Sequence, residues 1–531
     1  MMKKIYLLAL LLAISQYACT DLQEDLVGEL TEELSIEGNG STYDCACYDP
    51  LQLVYGGLRN TGTAYHGGYF TLQELTSDEM VVAVKGSDWY DGGTLIDLHQ
   101  HTYDPDHPFI ANTFRQLYSA IEEINEMLDH GHLEADEIAQ LKGMRAYFYW
   151  RLLDLFGRVK IVTEQSPDPP QATREEVFNF VEQELLTVLG IPEVSTGMDI
   201  SNSPLLEKSE AYQLNRYGVL GVLAQLYLNA EVYTGTPRYE AASIAASYII
   251  DSGHYQLCGE GCAVPNLGQR QGVPSDPEQL TGYAAVFAPN NDGNPEHIFS
   301  INYDEHLGSG MNFSQMVLHP ASQLSWHLQE QPWNGYATLE EFYNSYEDAD
   351  LRKKASFLTG PQFDFSGSAV IDYTENDGEL QLNYTPAINE LQPNAHAKSG
   401  ARPAKFSFKL FGRREMDNDF PLVRLGEVYL IRAEARARLS GNWADAEPDV
   451  NVLRARAGVE PYSGTLTAEE FLAERGREMF QEAIRRTDLI RFGKYTEVWW
   501  EKPASEPYRE LFPIPRSAIG GDAGMTQNPG Y

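Results

Sequence analysis

The chain has 531 residues, 43% of them hydrophobic, enough for one large domain or two to three ordinary ones. Acidic residues outnumber basic ones 77 to 39, a net charge of −38. That balance excludes the basic footprint of a nucleic-acid binder and weighs against polyanionic ligands.

Met1 to Lys4 give a short basic start, and IYLLALLLAI follows from Ile5. About ten apolar residues make roughly 15 Å of helix, half of a bilayer core. Residues 1–18 therefore read as a secretory signal, not a membrane span. Ala18 then Cys19 places a thiol where a bacterial lipoprotein is cleaved and acylated, although Gln16 departs from the usual leucine. Acyl chains on Cys19 would give stable anchoring; the plainer reading is a signal peptide with an incidental cysteine. Residues 19–43 are acidic, polar and Gly/Ser-rich, a flexible tether ahead of the main domain at 44–531. Cys45, Cys47, Cys258 and Cys262 remain, with three possible pairings. Cys258 and Cys262 flank GEG and could close a small loop, while a zinc site is the weaker alternative.

Helical periodicity begins at Pro108 and runs to His130, with Ile110, Phe114, Leu117, Ile121, Ile124 and Leu128 on one face. A second helix is expected over Ala135–Phe156, closed by Gly157. Asn215–Tyr233 is apolar nearly all round and predicts a buried helix, followed by another over Arg238–Ser252. Between about 258 and 410 Gly, Pro, Asn, Asp and aromatics replace that pattern, which predicts loops and short strands. Helices return over Leu422–Leu439, Asp445–Gly458 and Ala468–Phe492, with Ala433, Ala435 and Ala437 as small contact residues. The fold class is mainly α. Irregular helix pairs over about 108–257 and 411–495 resemble tetratricopeptide packing.

No HExxH, GxSxG or Walker-type loop is present. His99, His101 and His107, with Asp104 and Asp106, form the best metal candidate, but turn and cap roles explain them better and no metal is assigned. No carboxylate pair stands out for glycoside hydrolysis. The aromatics say more. GSDWYDGG (86–93) sets Trp89 and Tyr90 among Asp88, Asp91 and glycines, and Trp326, Trp333 and Tyr336 lie in similar surroundings. An aromatic plane edged by polar groups matches the apolar C–H face and hydroxyl rim of a pyranose. The alternative is a Trp covering a core edge beside a turn.

DFPLVRLGEVYLIRAEA (419–435), ERGREMFQEAIRRTDLIRFGKY (474–495) and LFPIPRSAIGGDAGMTQNPGY (511–531) together resemble the RagB/SusD family. KGMRAYFYWRLLDLFGRVK (142–160), LNRYGVLGVLAQLYLNAEVYTG (214–235) and NPEHIFSIN (294–302) agree, in family order. The resemblance implies a SusD-like helical scaffold, a non-catalytic surface site for oligosaccharide, no cofactor, and attachment to the outer surface of the cell. It also implies a TonB-dependent outer-membrane barrel as partner, and the acidic TDLQED after Cys19 resembles a surface-export tag. Polar helix residues such as Arg145, Glu427, Arg432, Glu434, Glu474, Arg485, Arg486 and Asp488 are then scaffold ion pairs. For the site, the resemblance favours Trp89 as the platform, with Tyr90 beside it as a further ligand-binding residue, Asp78, Asp88 and Asp91 as hydroxyl acceptors and Arg402 as donor; Trp333 and Tyr336 come second. The acid excess favours a neutral glycan. The rival readings are a helical glycoside hydrolase or lyase, and a peptide-uptake or protein-adaptor member of the same fold.

Overall fold

In the computed structural model, which describes residues 50–531 apart from 131, 167, 307, 309 and 374–379, the first strong periodicity becomes the helix Pro108–His130. Its apolar stripe, Ile110 to Ile124, is buried against Ala135–Phe156. The latter opens on a Glu134/Glu137 capping box and stops at Gly157, whose φ of 71° only glycine adopts at little cost. The signal segment, Cys19, the tether, Cys45 and Cys47 lie outside the described residues.

From there helices pack in a run. Ala135–Phe156 packs on Arg174–Leu189, that helix on Arg216–Leu228, the next on Tyr239–Asp251, and this last on Leu425–Ser440, which carries Glu447–Ala457. The architecture is mainly α, as the periodicity predicts. Arg174–Leu189 is a helix the pattern analysis missed, although Thr173 and Glu176 form its capping box. Ala433, Ala435 and Ala437 are buried at helix contacts.

Two predicted helices are interrupted. Asn215–Tyr233 breaks at Asn229, whose Nδ2 turns back to the Gln225 carbonyl while its Oδ1 accepts from Arg491. Ala468–Phe492 ends at Met479 and resumes only at Arg485. Between them the Gln481 and Ala483 amides bond the carboxylates of Glu79 and Glu74, and both residues take positive φ. Long-range carboxylates captured N–H groups that a continuous helix would have kept.

Residues 258–410 do carry short strands, all in two-stranded pairs. Cys258 and Cys262 are disulfide-bonded, closing the GEG loop. Inside the protein the predicted polar residues are ion pairs: Arg145 with Glu164 and Glu184, Glu427 with Arg475, Arg432 with Asp449, Glu434 with Arg491, and Arg486 with Asp154. The densest knot joins Arg352, Arg424 and Arg456 to Glu296, Glu474, Glu478 and Glu482. It pins the excursion to the C-terminal helices, since Arg352 and Glu296 come from the former and Glu474 and Glu478 from the latter.

Candidate functional site

The strand Met80–Val82 pairs antiparallel with Tyr336–Thr338, with Val82 opposite Tyr336. This pairing delivers the GSDWYDGG turn to the segment that carries Trp333. Lys85 and Asp88 exchange both backbone hydrogen bonds, so the chain reverses tightly just before Trp89. Trp89 itself has φ of 63°, a left-handed backbone unusual for a bulky residue.

That geometry turns the indole inward. Trp89 is 8% exposed, its Nε1 donates to the Trp333 carbonyl at 2.6 Å, and its ring presses on Gly335. A Cβ at residue 335 would lie 2.4 Å from Trp89 Cζ2, so only glycine admits the ring. Trp89 is therefore a support and not an open platform, which corrects the expectation from composition. Its place at the surface is taken by Tyr90, 51% exposed, with Asp88 and Asp91 exposed beside it and Trp333 half-buried.

His66 is the hub of the cluster. Its ring meets Trp89 at 5.4 Å, Phe109 at 5.4 Å, Tyr336 at 5.9 Å and Trp333 at 6.2 Å, always edge to face. Its Nδ1 lies 3.0 Å from the Tyr336 hydroxyl. Burial pushes the His66 pKa down to about 4, against a smaller upward pull from Asp91. The hub is neutral at physiological pH and presents no charge to a ligand. Arg414 lies over Trp333 at 5.5 Å and donates to the Tyr65 hydroxyl at 3.2 Å. The pattern analysis passed over His66, Phe109 and Arg414; TAYHGGYF (63–70) held a signal, a histidine and aromatics in a Gly-rich turn.

Three predicted residues do other work. Asp78 receives both arms of Arg485, at 2.7 and 2.9 Å, and belongs to the scaffold. Arg402 is fully buried, bonded to the Asn334 side chain and the Ser399 and Ala397 carbonyls, with its guanidinium over Tyr384. It holds the side chain of Asn334, whose backbone is left-handed (φ 58°), next to Trp333. Tyr336 is buried with its hydroxyl on Thr71 at 2.7 Å, a wall of the cluster and not a contact surface. The histidines of DLHQHTYDPDHP bond separate backbone carbonyls: His99 that of Trp500, His101 that of Thr76 and His107 that of Thr94. Among the described residues no group of three His, Cys, Asp or Glu side chains is placed to hold a metal ion.

The geometry is thus an aromatic rim, edged by carboxylates and a guanidinium, over a neutral imidazole. Residues 290–531 match the model of the SusD family. The chain is 27% identical over 513 residues to the starch-binding protein SusD of Bacteroides thetaiotaomicron, covering 87% of this chain and 85% of that one. Solved structures share the fold. A laminarin-binding SusD-like protein superposes with a TM-score of 0.64 at 21% identity, covering 91% of this chain and 98% of its own. Surface glycan-binding protein A from Bacteroides thetaiotaomicron, in complex with laminarihexaose, gives 0.65 at 18% identity, covering 90% and 98%. At those identities the structural likeness establishes the fold alone.

Proposed function

From the SusD-family match over residues 290–531 and the likeness to the starch-binding protein SusD, we propose that the chain is a SusD-type protein that captures a neutral oligosaccharide at the Tyr90–Trp333 rim and does not cleave it. The observation that carries this reading is that Trp89, bonded to the Trp333 carbonyl, ties the exposed Asp88–Tyr90–Asp91 turn to the segment of half-buried Trp333, over which Arg414 lies. A ring face excludes water from the C–H face of a pyranose, and the polar edge satisfies its hydroxyls. The relatives named for starch, laminarin and laminarihexaose make neutral glucans the first class to test. Stacking and a few hydrogen bonds on an open rim give affinities of order μM to mM, roughly −4 to −8 kcal/mol.

Affinity electrophoresis in starch and laminarin, with titration calorimetry on laminarihexaose, tests it. Trp333→Ala or Tyr90→Ala is expected to weaken binding about 10-fold, near 1–2 kcal/mol for one ring's contact area, with helicity unchanged. Unaltered affinity in both variants would remove the rim from the site. Shorter products in the same incubations would replace the receptor by a hydrolase or lyase.

In this reading the protein is held on the outer surface of the cell by lipid at Cys19 and hands its glycan to a TonB-dependent barrel. The leader, the cysteine and the family support it. Cys19→Ala is expected to leave the membrane fraction and to stop co-purifying with the barrel. Retention in membranes would remove the anchor.

A further inference from the structure

Two non-glycine residues in the loop-rich excursion are held in the left-handed region face to face, His327 at φ 51° and Phe411 at φ 59°. Such a backbone is unfavourable at a bulky residue and persists only where neighbours impose it. Here they do. The Phe411 amide donates to the Trp326 carbonyl at 2.8 Å, the Gln329 amide to Gly412 at 3.0 Å, and the Gln329 side chain to the Phe411 carbonyl at 3.2 Å.

The result is a ring on the surface instead of in the core. Phe411 is 60% exposed and lies parallel to the His327 imidazole, 5.4 Å apart with a 5° tilt. Phe365 braces His327 at 4.9 Å. Exposure of a phenylalanine is unfavourable, and here it is held by those hydrogen bonds and the stack on His327.

The stack is continuous with the rim described above. Segments 326–333 and 411–414 run side by side, joined at Trp326–Phe411, at Gln329–Gly412 and at Trp333–Arg414. Arg414 is three chain steps from Phe411, at most about 11 Å of extended chain. Gln329 and Arg413 are exposed on these two segments, and the N–H groups they do not spend on the Phe411 carbonyl and on His306 can donate to hydroxyls.

We propose that Phe411 on His327 is a second stacking platform of the same site, so that the protein takes a linear neutral oligosaccharide long enough to span both platforms. This rests on the glycan-capture reading and adds chain-length selection to it. Leu324, 55% exposed beside Phe365, makes a protein contact the rival occupant.

Calorimetry on the mature chain with maltotriose, maltohexaose, laminaritriose and laminarihexaose decides it. Phe411→Gly keeps the left-handed backbone and removes the ring, and Phe411→Tyr keeps the ring. The glycine variant is expected to lose about 10-fold in affinity for the hexaose that binds and nothing for its triose, with the tyrosine variant restored; Trp333→Ala should weaken both lengths. Unchanged hexaose affinity in Phe411→Gly would overturn the platform and give the patch to a protein partner. Equal losses on triose and hexaose would also overturn it. A parent protein that binds none of the four overturns the glycan reading itself, together with this one.

Discussion

Glu478→Gln is expected to destabilise the protein by about 3–5 kcal/mol, the cost of removing one partner from a buried ion cluster. Glu478 is fully buried and accepts from Arg424 at 2.8 Å, from Arg352 at 3.2 Å and from Arg456. Burial alone would push its carboxyl up, but the three guanidiniums override that and hold it well below the usual carboxylate range. An amide of the same shape leaves those guanidiniums in the interior with one anion fewer. Glu470, about half exposed and paired with Arg477, supplies the comparison: Glu470→Gln should cost under about 1 kcal/mol, as surface pairs do. Urea denaturation of the two variants separates them. A loss under 1 kcal/mol for Glu478→Gln would mean that the knot's charges are screened or rearranged, and the account of how the excursion is pinned would fail.

Acidification from pH 7 to 5 is expected to lower stability by several kcal/mol, with buried histidines as the cause. His99, His297 and His319 are each no more than 3% exposed and burial holds them down to about 4; His101 and His107 are lowered by the same cause. Unfolded, each binds a proton near 6.5; folded, not until about 4, so the unfolded chain holds more protons in that window. Stability is therefore full above 6.5 and lost as pH falls toward 4, by up to about 2 kcal/mol per residue at pH 5.

Buried carboxylates pull the other way. Burial raises Glu74 and Asp419 to about 7, Asp419 with help from Asp292, and raises Glu79, Glu427 and Glu510 as well, so they favour the folded state more as pH falls from 7. Six lowered histidines, His66 among them, are set against these, and the expected net effect is acid lability. Thermal midpoints measured from pH 8 to 4 check this. His297→Gln should flatten the profile and Glu74→Gln should steepen it below pH 7. A midpoint that rises steadily from pH 7 to 5 would reverse the ranking of the two effects.

Helices whose apolar residues face one way were legible, because period and burial coincide: Pro108–His130 and Ala135–Phe156 form over the predicted ranges, the second between its capping box and Gly157. Ala468–Phe492 was not, because its break is made by Glu74 and Glu79, about 400 residues earlier in the chain. The ion pairs were legible as charges inside helical patterns, which burial leaves no choice but to pair.

The aromatic cluster divides in the same way. Composition located GSDWYDGG and the 326–336 stretch as unusual, and the strand pair Met80–Val82 with Tyr336–Thr338 brings them together. It could not say which ring faces water. Trp89, the expected platform, is held under Gly335, while Arg402 and Asp78, expected as contacts, hold Asn334 and Arg485.

By itself the sequence determined helix content, charge and the resemblance to the SusD family, because each is written in local period, composition or ordered motifs. Which of the aromatic side chains reach the surface was decided only by tertiary structure. A left-handed turn at Trp89 and another at Phe411 send one ring inward and the other out, and both are set by partners far along the chain.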